Sequence, residues 1–551
     1  MTKGRSDPAL FYWQPSFLHG CPGPVAAKSQ NVAASVTVAN GVTGGGRPLS
    51  AAPNILIVMV DQLTGTLFPD GPAPFLHVPH LRRLYVEGVA FSNAYCASPL
   101  CAPSRAAFMT GLLPSQTRVY DNAAEFASAI PTFAHHLRGA GYDTILAGKM
   151  HFVGPDQLHG IEERLTTDIY PADYGWTPDW SKPGARIDWW YHNLGSVTAA
   201  GTAEITNQLE FDDEVAFLAN QRLLQLARRG DADKPFCLTV SFTHPHDPFV
   251  ARQKYWDLYP DGSIPPPTVA PIPLDRLDPH SRRLYFDNDT PHFAISDRMV
   301  ADSRRAYCAN ISYIDDKICE LLATLAACRF SRETIIVFCS DHGEMLGERG
   351  MWFKMNFFEG AARVPLLVHA PQRFKPRQVS APVSLTEVAP LLIALAGIAP
   401  EPKPGLASLA VGATDDQRLV VAEYAAEGSI APMIMLRRGR WKFIHTSVDP
   451  DQLFDLADDP RELINRATDP AAADVVAAFK SAIAARWNLT AFDAAVRESQ
   501  TQRHLIHAAL RHGQYFPWDF QPLQKASERY MRNHMDLNVV EVNARFPRPK
   551  L

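Results

Sequence analysis

The chain has 551 residues, of which 46% are hydrophobic and 20% are charged. These values are typical of a folded globular protein and exclude a mainly disordered or fibrous one. The formal net charge is -5 and no dense basic block occurs, which excludes nucleic acid as the main partner. A small-molecule substrate fits this composition better.

The sequence predicts neither a membrane anchor nor a secretory signal. Its longest apolar stretch with a helical pattern, residues 388–400, is short of the roughly 20 residues that a transmembrane helix needs. Residues 1–52 lack the apolar core of a signal peptide and are predicted to be a poorly ordered extension. Eight cysteines are few for this length and favour buried free thiols in a reducing compartment. The cytoplasm is therefore the expected location, although the C-terminal Pro-Lys-Leu is similar to a peroxisomal address.

From residue 53 onwards, short apolar runs alternate with helical patterns. Buried strands are predicted at residues 55–60, 143–147, 236–242, 334–340 and 364–369, and helices at residues 131–140, 213–228 and 302–327. Continuous apolar strands separated by helices indicate a mostly parallel sheet that helices cover on both faces. The predicted fold class is therefore α/β.

After a proline-rich linker at residues 398–404, the pattern changes. Short strands are predicted at residues 418–424, 433–438, 440–445 and 452–456, followed by a helix at residues 471–487. This spacing indicates a small antiparallel sheet. We accordingly expect four parts: an extension (1–52), a large α/β domain (53–397), a small α+β subdomain (398–490) and a C-terminal tail (491–551) that docks on a neighbouring subunit.

Two of the predicted strands end in polar residues. Asp61 and Gln62 follow the strand over residues 55–60, and Asp341 and His342 follow the strand over residues 334–340. Ligands of open α/β sheets bind beyond the carboxyl ends of the strands, so both pairs are expected in one crevice. Together they are candidate ligands of a divalent cation, whereas a single Asp at a strand end is about as often a helix cap or turn residue.

The most specific motif is CAPSR at residues 101–105, followed by Thr-Gly at residues 110–111. It resembles the motif of the formylglycine-dependent sulfatases, a family within the alkaline phosphatase superfamily. The resemblance implies that a formylglycine-generating maturation enzyme oxidises Cys101, which also ligates the metal. One hydroxyl of the hydrated aldehyde would attack sulfur, and the second would then expel sulfate. The alternative for Cys101 is a buried structural thiol.

The resemblance also assigns the groups that bind sulfate. Lys149, in the GKMH motif at residues 148–151, would bridge sulfate and the nucleophile. Lys354 matches the second sulfate-binding lysine of the family, and Arg105 would anchor Asp61 and the formylglycine. A solvated lysine is the alternative for Lys149.

Two motifs carry the implied proton-transfer groups. His151 would accept the proton of the second hydroxyl. His246, in the HPHDP motif at residues 244–248, would protonate the leaving group, with His244 as the second candidate beside the substrate.

The implied metal is Ca²⁺. However, Gln62 and His342 stand where common arylsulfatases have an acid and an amide. Hard oxygen ligands also accept Mg²⁺, and an imidazole ligand admits Mn²⁺.

Aromatic residues are concentrated between residues 174 and 192, where four of the ten tryptophans lie: Trp176, Trp180, Trp189 and Trp190. Aromatic faces bind quaternary ammonium groups, although a packed aromatic insertion has the same composition. Residues 148–160, 165–180, 188–196 and 526–535 resemble the branch of the family that hydrolyses choline-O-sulfate, and that resemblance extends from about residue 53 to about residue 548.

This second resemblance implies release of choline and sulfate, which supports glycine betaine synthesis and sulfur scavenging, by a homo-oligomer that is commonly a tetramer. The expected choline pocket contains Trp176, His192 and Asn193. Either Glu423 or Glu427 would be the anionic partner of the ammonium.

Two other functions remain open at this stage. One is hydrolysis of aryl sulfates or phosphonate monoesters by the same core, against which the aromatic insertion argues. The other is a non-catalytic protein that binds choline-O-sulfate, which would require loss of the nucleophile or of a sulfate-binding cation. Cys101, Arg105, Lys149, His151 and Lys354 are all present.

Overall fold

The computed structural model of the protein describes residues 52–187, 192–229, 234–331, 334–402, 405–515 and 518–521. The predicted extension, apart from residue 52, lies outside the described residues. Trp189, Trp190 and the C-terminal segment at residues 526–535 also lie outside them.

The strands, in chain order, are β1 (Asn54–Val60), β2 (Val89–Tyr95), β3 (Asp143–Gly148), β4 (Glu163–Arg164), β5 (Gly201–Thr202), β6 (Phe236–Ser241), β7 (Val250–Ala251), β8 (Thr334–Ser340), β9 (Arg363–His369), β10 (Arg377–Val379), β11 (Val383–Ser384), β12 (Val420–Tyr424), β13 (Met433–Arg438), β14 (Trp441–Thr446) and β15 (Gln452–Asp455). All strands predicted from apolar runs occur, with ends that differ by one or two residues. The prediction did not include β2, because the polar residues Ser92 and Asn93 interrupt its apolar run.

The helices are α1 (Pro79–Glu87), α2 (Cys101–Thr110), α3 (Pro114–Thr117), α4 (Phe133–Gly139), α5 (Gly195–Thr198), α6 (Asn207–Arg228), α7 (Gln253–Trp256), α8 (Pro279–Asp287), α9 (Asp297–Ala327), α10 (Glu359–Ala362), α11 (Val388–Leu395), α12 (Leu406–Ala410), α13 (Ala473–Arg486) and α14 (Leu489–Leu510). Helices α6 and α9 begin before their predicted first residues. The hydroxyls of Thr206 and Ser296 cap them by accepting hydrogen bonds from the backbone amides of Leu209 and Met299.

The large sheet has the strand order β10-β2-β9-β8-β1-β6-β3-β4, and β11 also pairs with β2. Every pairing in it is parallel except those of β9 with β2 and β8. Its central strands, β1 and β8, are buried along their whole length, as expected for strands that helices cover on both faces. The predicted α/β class with a mixed, mostly parallel sheet is confirmed.

The second sheet is the predicted small antiparallel one, with β12 to β15 in sequential order. A buried ion cluster joins it to the large sheet's domain. Lys442 of β14 is fully buried, and its ammonium lies 2.9 Å from the Glu359 carboxylate of α10 and 2.5 Å from that of Glu462. Burial of a charge is costly unless it is paired, so this cluster fixes the small sheet against the large domain.

None of the helices in the described residues is long and apolar enough to cross a membrane. Seven cysteines lie in the described part of the chain, and all are free thiols. Five of them are buried and two are partly exposed, which agrees with the predicted free thiols.

Candidate active site

The register of the large sheet brings the two predicted polar pairs together. Strands β1 and β8 run parallel with Val60 opposite Ser340, so Asp61 and Asp341 leave the sheet side by side. The backbone amide of Gln62 donates to Asp341 Oδ1 at 3.1 Å. The side chains beyond these strand ends are fully buried, which fits a site that is closed to bulk water.

Cys101 is the first residue of α2, and its thiol points at the same strand ends. Its Sγ lies 3.1 Å from His342 Nε2 and 3.8 Å from Asp61 Oδ1. One potential ligand atom from each of Asp61, Cys101, Asp341 and His342 lies within 4.8 Å of the others. This spacing allows the four side chains to share one cation.

Arg105 lies one turn further along α2 and neutralises both acids. Its Nε donates to Asp341 Oδ2 at 2.8 Å, and its second terminal nitrogen donates to Asp61 Oδ2 at 3.3 Å. Burial alone would raise the pKa of Asp61, but the nearby cations Lys149 and Arg105 hold it below its usual value. The carboxylate is therefore ionised and able to bind a metal.

Lys149 enters the site because the chain turns sharply after β3. Gly148 has a φ of 105°, and a Cβ there would lie 1.9 Å from the carbonyl oxygen of Ser241, so no other residue fits. The Lys149 ammonium contacts the Asp61 carboxylate and lies 3.6 Å from Cys101 Sγ. It also stands 4.2 Å from the ring centroid of Tyr170.

The position of Cys101 is strongly electropositive. Burial raises the pKa of its thiol, but Lys149, Lys354 and His342 outweigh burial and lower the pKa well below its usual value. Cations that stabilise a thiolate would equally stabilise the charge of an oxyanion at this position.

Lys354 and His246 form the other side of the site. The Lys354 ammonium contacts Gln62 Oε1 and lies 2.8 Å from His246 Nε2. His246 Nδ1 lies 2.7 Å from the carbonyl oxygen of Asp247. Nδ1 must therefore carry the ring hydrogen and donate it, while Nε2 accepts from Lys354.

His244 points away from this group. Its Nδ1 lies 2.6 Å from Asp212 Oδ2, and its ring packs edge-on against Tyr313 with centroids 5.5 Å apart. Of the two histidines in the HPHDP motif, the structure brings only His246 into contact with Lys354.

His151 is held by its backbone rather than by its ring. It has a φ of 54°, and its amide donates to Asp168 Oδ2 at 2.8 Å. Neither ring nitrogen has a hydrogen-bond partner among the described residues. The imidazole lies beside Cys101, whose pKa it lowers, and its ring centroid is 6.0 Å from that of Trp176.

The predicted pocket residues His192 and Trp176 both adjoin this group. His192 Nδ1 lies 3.4 Å from Asp247 Oδ1, and its ring centroid is 5.2 Å from that of His246. Burial, then the charge of Lys354, lowers the pKa of His192 to about 4. Trp176 ends a one-turn helix, Tyr174–Trp176, and lines a cavity of about 690 Å³. Asn193 accepts a hydrogen bond from the Gly195 amide at 2.9 Å.

The two candidate acids for the ammonium have very different surroundings. Glu423 accepts hydrogen bonds from the amide and hydroxyl of Ser115 and from Trp487 Nε1, at 2.6, 2.7 and 2.6 Å. Glu427 is 6% exposed, and neither carboxylate oxygen has a hydrogen-bond partner among the described residues. Burial, then the charges of Asp121 and Asp287, raises its pKa well above the usual value.

Glu427 lines a second cavity of about 230 Å³, which shares residues 179, 182 and 185–187 with the cavity lined by Trp176. The acid and the indole therefore line two cavities that have part of their walls in common. Glu423, by contrast, is already occupied as a structural acceptor.

Three further residues contact the site that the sequence analysis did not single out. Gln62 Nε2 donates to Asp247 Oδ1 at 3.1 Å and contacts Glu344 Oε2, and Tyr170 lies under Lys149. Asp247 stands inside the HPHDP motif and Glu344 follows His342 closely, so proximity to a motif could have indicated both. No local pattern marks Tyr170.

The donor set fits a divalent cation. The amide nitrogen of Gln62 is used by two carboxylates, so Oε1, which contacts the Lys354 ammonium in this structure, is the atom of that side chain that can ligate a metal. With the carboxylates of Asp61 and Asp341, hard oxygen donors predominate over the one imidazole of His342. The buried cations around them match the charge of an anionic group bound to such a metal.

Comparison with known proteins identifies the family. Residues 53–398 match the model described as "Sulfatase", and residues 494–546 match "Choline sulfatase enzyme C terminal". Residues 347–488 match "N-sulphoglucosamine sulphohydrolase, C-terminal". The chain belongs to the sulfatase family, whose members hydrolyse sulfuric esters with a metal ion and a formylglycine made from cysteine.

Among relatives, the chain is 60% identical over 506 residues to the "Choline-sulfatase" of Rhizobium meliloti, covering 90% of this chain and 99% of the relative. It is 30% identical over 357 residues to the "Iduronate 2-sulfatase" of Mus musculus, covering 60% and 62% of the two chains.

Solved structures share the fold. A phosphonate monoester hydrolase from Agrobacterium radiobacter aligns with a TM-score of 0.62 and 22% identity over 80% of this chain and 96% of that one. A second, from Silicibacter pomeroyi, gives a TM-score of 0.63 and 23% identity over 78% and 94%. The predicted alkaline phosphatase-like architecture is confirmed.

Proposed function

We propose that the protein is a choline-sulfatase that hydrolyses choline-O-sulfate to choline and sulfate. The observation that carries the proposal is Glu427, a buried carboxylate without a hydrogen-bond donor among the described residues. A trimethylammonium group has no N–H to donate, so its natural partner is an anion whose oxygens are left open. The similarity to the Rhizobium meliloti choline-sulfatase supports the same substrate.

The aromatic surroundings suit the same ligand. Trp176 lines a cavity that shares wall residues with the one lined by Glu427, and a cation over an aromatic face gains roughly 0.5 to 2 kcal/mol. The acid supplies long-range attraction and the indole supplies the desolvated face. The sulfate ester of a neutral alcohol would use neither the acid nor the indole as a cation site. This end of the site would therefore favour a cationic substrate.

A buried histidine sets the spacing between the two ends of the site. His280 Nδ1 lies 3.1 Å from the carbonyl oxygen of Gly428, and its Nε2 lies 2.6 Å from that of Met355. Gly428 follows Glu427, and Met355 follows the sulfate-binding Lys354. Burial lowers the pKa of His280, so the neutral ring carries one hydrogen, which it donates to one of the two carbonyls. Packing of the ring between the two segments supports a fixed distance between the ammonium-binding acid and the sulfate-binding lysine.

At the sulfate end, Asp61, Gln62, Asp341 and His342 would hold the metal, which supplies positive charge to the sulfate oxygens when bound. Formylglycine at position 101 would supply a geminal diol as nucleophile. Lys149 and Lys354 bind the remaining sulfate oxygens, and Arg105 fixes the two metal-binding acids by bonding to both carboxylates.

Two histidines on opposite sides of the site would transfer the protons. Lys354 would donate to sulfate once the ester is bound. His246 Nε2, which accepts from Lys354 in this structure, would then bind a proton from solvent and, as the imidazolium, transfer it to the departing choline oxygen. His151, whose ring nitrogens are open and which adjoins position 101, accepts the proton of the second hydroxyl. Separate acid and base groups allow both halves of the reaction without rearrangement of the site.

We extend the proposal to Ca²⁺ as the metal, because oxygen donors predominate. We also propose maturation of Cys101 by a formylglycine-generating enzyme, a homotetramer and a cytoplasmic location. The four-part division of the chain, with a tail from residue 491 that docks on a neighbouring subunit, is part of the same proposal.

The test is sulfate release by protein coexpressed with a formylglycine-generating enzyme, with Cys101→Ala as the control. Three substrates are compared: choline-O-sulfate; its neutral isostere, in which a tert-butyl group replaces trimethylammonium; and nitrophenyl sulfate. We expect kcat/KM for choline-O-sulfate to exceed that for the neutral isostere by about tenfold or more. The control should be inactive on all three.

Equal turnover of choline-O-sulfate and the neutral isostere would refute the choline assignment while leaving a sulfatase. Faster hydrolysis of a phenyl phosphonate monoester than of any sulfate would indicate the phosphonate-hydrolysing alternative. Tight binding of choline-O-sulfate by fully matured protein that releases no sulfate would indicate a binding protein.

A further inference from the structure

Helix α14 holds the segment that carries Trp176. Four of its side chains, on one face of the helix, contact residues 177–180: Arg497 and Gln500 bond the backbone of Trp180, Arg503 bonds Thr177 Oγ1, and His504 lies against the carbonyl oxygen of Pro178. Spacings of three and four residues place side chains on the same helix face. The aromatic segment is therefore attached along its length to a helix that begins more than 300 residues later in the sequence.

Arg503 and Gln500 are the two buried side chains among these contacts. Arg503 is 4% exposed, and its two terminal nitrogens donate to both carboxylate oxygens of Asp121 at 2.7 and 2.6 Å. One of these nitrogens also donates to Thr177 Oγ1 at 3.0 Å. A planar guanidinium can bind a carboxylate in this bidentate way and keep a donor for a third group, which a lysine cannot do.

From Asp121 the connection continues to the nucleophile. The neighbouring Asn122 accepts a hydrogen bond from the amide of Ala102 at 2.9 Å. Ala102 directly follows Cys101 in the first turn of α2, so Arg503 fixes the loop that fixes this turn.

From Thr177 the connection continues to the aromatic wall. The Thr177 hydroxyl accepts from Arg503 and donates to the carbonyl oxygen of Tyr174 at 2.8 Å. The same carbonyl accepts from the Thr177 amide at 3.2 Å, so the hydroxyl adds a second bond at the point where the one-turn helix that carries Trp176 is closed. The Arg503 guanidinium thus connects the segment that carries Trp176 to the loop that holds the Cys101 turn. The separation of these two parts must match the length of the substrate.

We propose that Arg503 is a positioning residue that fixes Trp176 relative to Cys101, through Thr177 and Asp121, and thereby sets the selectivity for a cationic sulfate ester. The inference rests on the proposed function. Helix α14 lies largely within the region that matches the choline sulfatase C-terminal model. The inference gives this helix a role in substrate specificity, which no residue of the sulfate end has.

Thr177→Val tests the connection without disturbing the Arg503–Asp121 pair. Valine has nearly the same shape but lacks the hydroxyl. We expect KM for choline-O-sulfate to rise about tenfold, with kcat changed less than about twofold. For the neutral isostere, kcat/KM should change less than about twofold, because that substrate does not use the aromatic face as a cation site.

Thr501→Val is the matched control. Thr501 lies on α14, the helix that carries Arg503. Like the Thr177 hydroxyl, its hydroxyl donates to a backbone carbonyl, that of Arg497, at 2.8 Å. However, Thr501 is exposed and does not contact residues 174–180. Its kinetic constants should equal those of the parent enzyme.

Arg503→Lys is the second variant, since Arg503→Ala would leave Asp121 buried and unpaired and could prevent folding. The lysine keeps the charge but cannot bond Asp121 and Thr177 together, so we expect the same selective rise in KM for choline-O-sulfate. Equal losses on both substrates in Thr177→Val, or no change, would overturn the inference. A parent enzyme that does not prefer choline-O-sulfate to the neutral isostere would overturn the proposed function as well, so the two failures are distinguishable.

Discussion

The two ends of the proposed site differ in how their charged groups are paired. At the sulfate end, acids and bases are paired almost completely: Arg105 bonds both Asp61 and Asp341, and Lys149 contacts Asp61. At the other end, Glu427 is buried without a donor among the described residues. A group that binds a transferring anion must be held in place by partners, whereas an acid that binds a quaternary ammonium must be left without them.

Lys149→Met should produce the largest effect and should not distinguish substrates. It removes a cation from the position where charge develops, so kcat for choline-O-sulfate and for the neutral isostere should both fall by about a thousandfold. Steady-state sulfate release measures this. Lys254→Met, at an exposed lysine, is the control; a selective loss on the cationic substrate would contradict the division of the site into two ends.

Glu427→Gln should affect only the cationic substrate. The amide has the same shape without the charge, so kcat/KM for choline-O-sulfate should fall by about tenfold to a hundredfold, while the value for the neutral isostere stays within about twofold. Glu423→Gln is a matched control four residues earlier. Because Glu423 is a structural acceptor, that variant should lower the melting temperature without changing the ratio of the two substrates.

Trp176→Ala should reduce selectivity less than the loss of Glu427. Removing the indole face should lower kcat/KM for choline-O-sulfate about two- to thirtyfold, the range of one cation–π contact. Trp176→Phe keeps a weaker aromatic face and should retain part of the selectivity for choline-O-sulfate. If Trp176→Ala hydrolyses choline-O-sulfate as well as the parent enzyme does, the indole is not a binding face.

The smallest expected effect is a pH dependence of choline binding. Burial and the charges of Asp121 and Asp287 raise the pKa of Glu427, opposed by Lys354, so the empty pocket favours the protonated acid. Choline favours the carboxylate, and its binding must therefore release a proton. Competitive inhibition by choline should therefore strengthen severalfold as pH rises. Inhibition by the corresponding tert-butyl alcohol, and by choline in Glu427→Gln, should show no such rise.

Much of the sulfate end could be predicted because short motifs specify it. Asp61 and Asp341 follow apolar strands, and the topology of parallel sheets places such residues at one edge. The position of Lys149 depends on Gly148, its neighbour in the same motif. Local sequence is informative here because each side chain is oriented by residues close to it in the chain.

The choline end could not be predicted in the same way. Glu423 and Glu427 are four residues apart, and the sequence favoured neither. The two acids differ in hydrogen bonding because Ser115 and Trp487, which are distant in sequence, donate to Glu423 and not to Glu427. The antiparallel direction of β9 was likewise not predicted, because an apolar run does not encode which neighbour it pairs with or in which direction.

The ion cluster around Lys442 bears on whether this protein can be recombined with its relatives. A catalytic domain cut at the proline-rich linker would retain Glu359 but lose Lys442 and Glu462, and so would leave the Glu359 carboxylate without its principal cation. The linker thus marks a change of topology and not a boundary between exchangeable modules. A chimera would have to take Glu359 and Lys442 from the same parent protein.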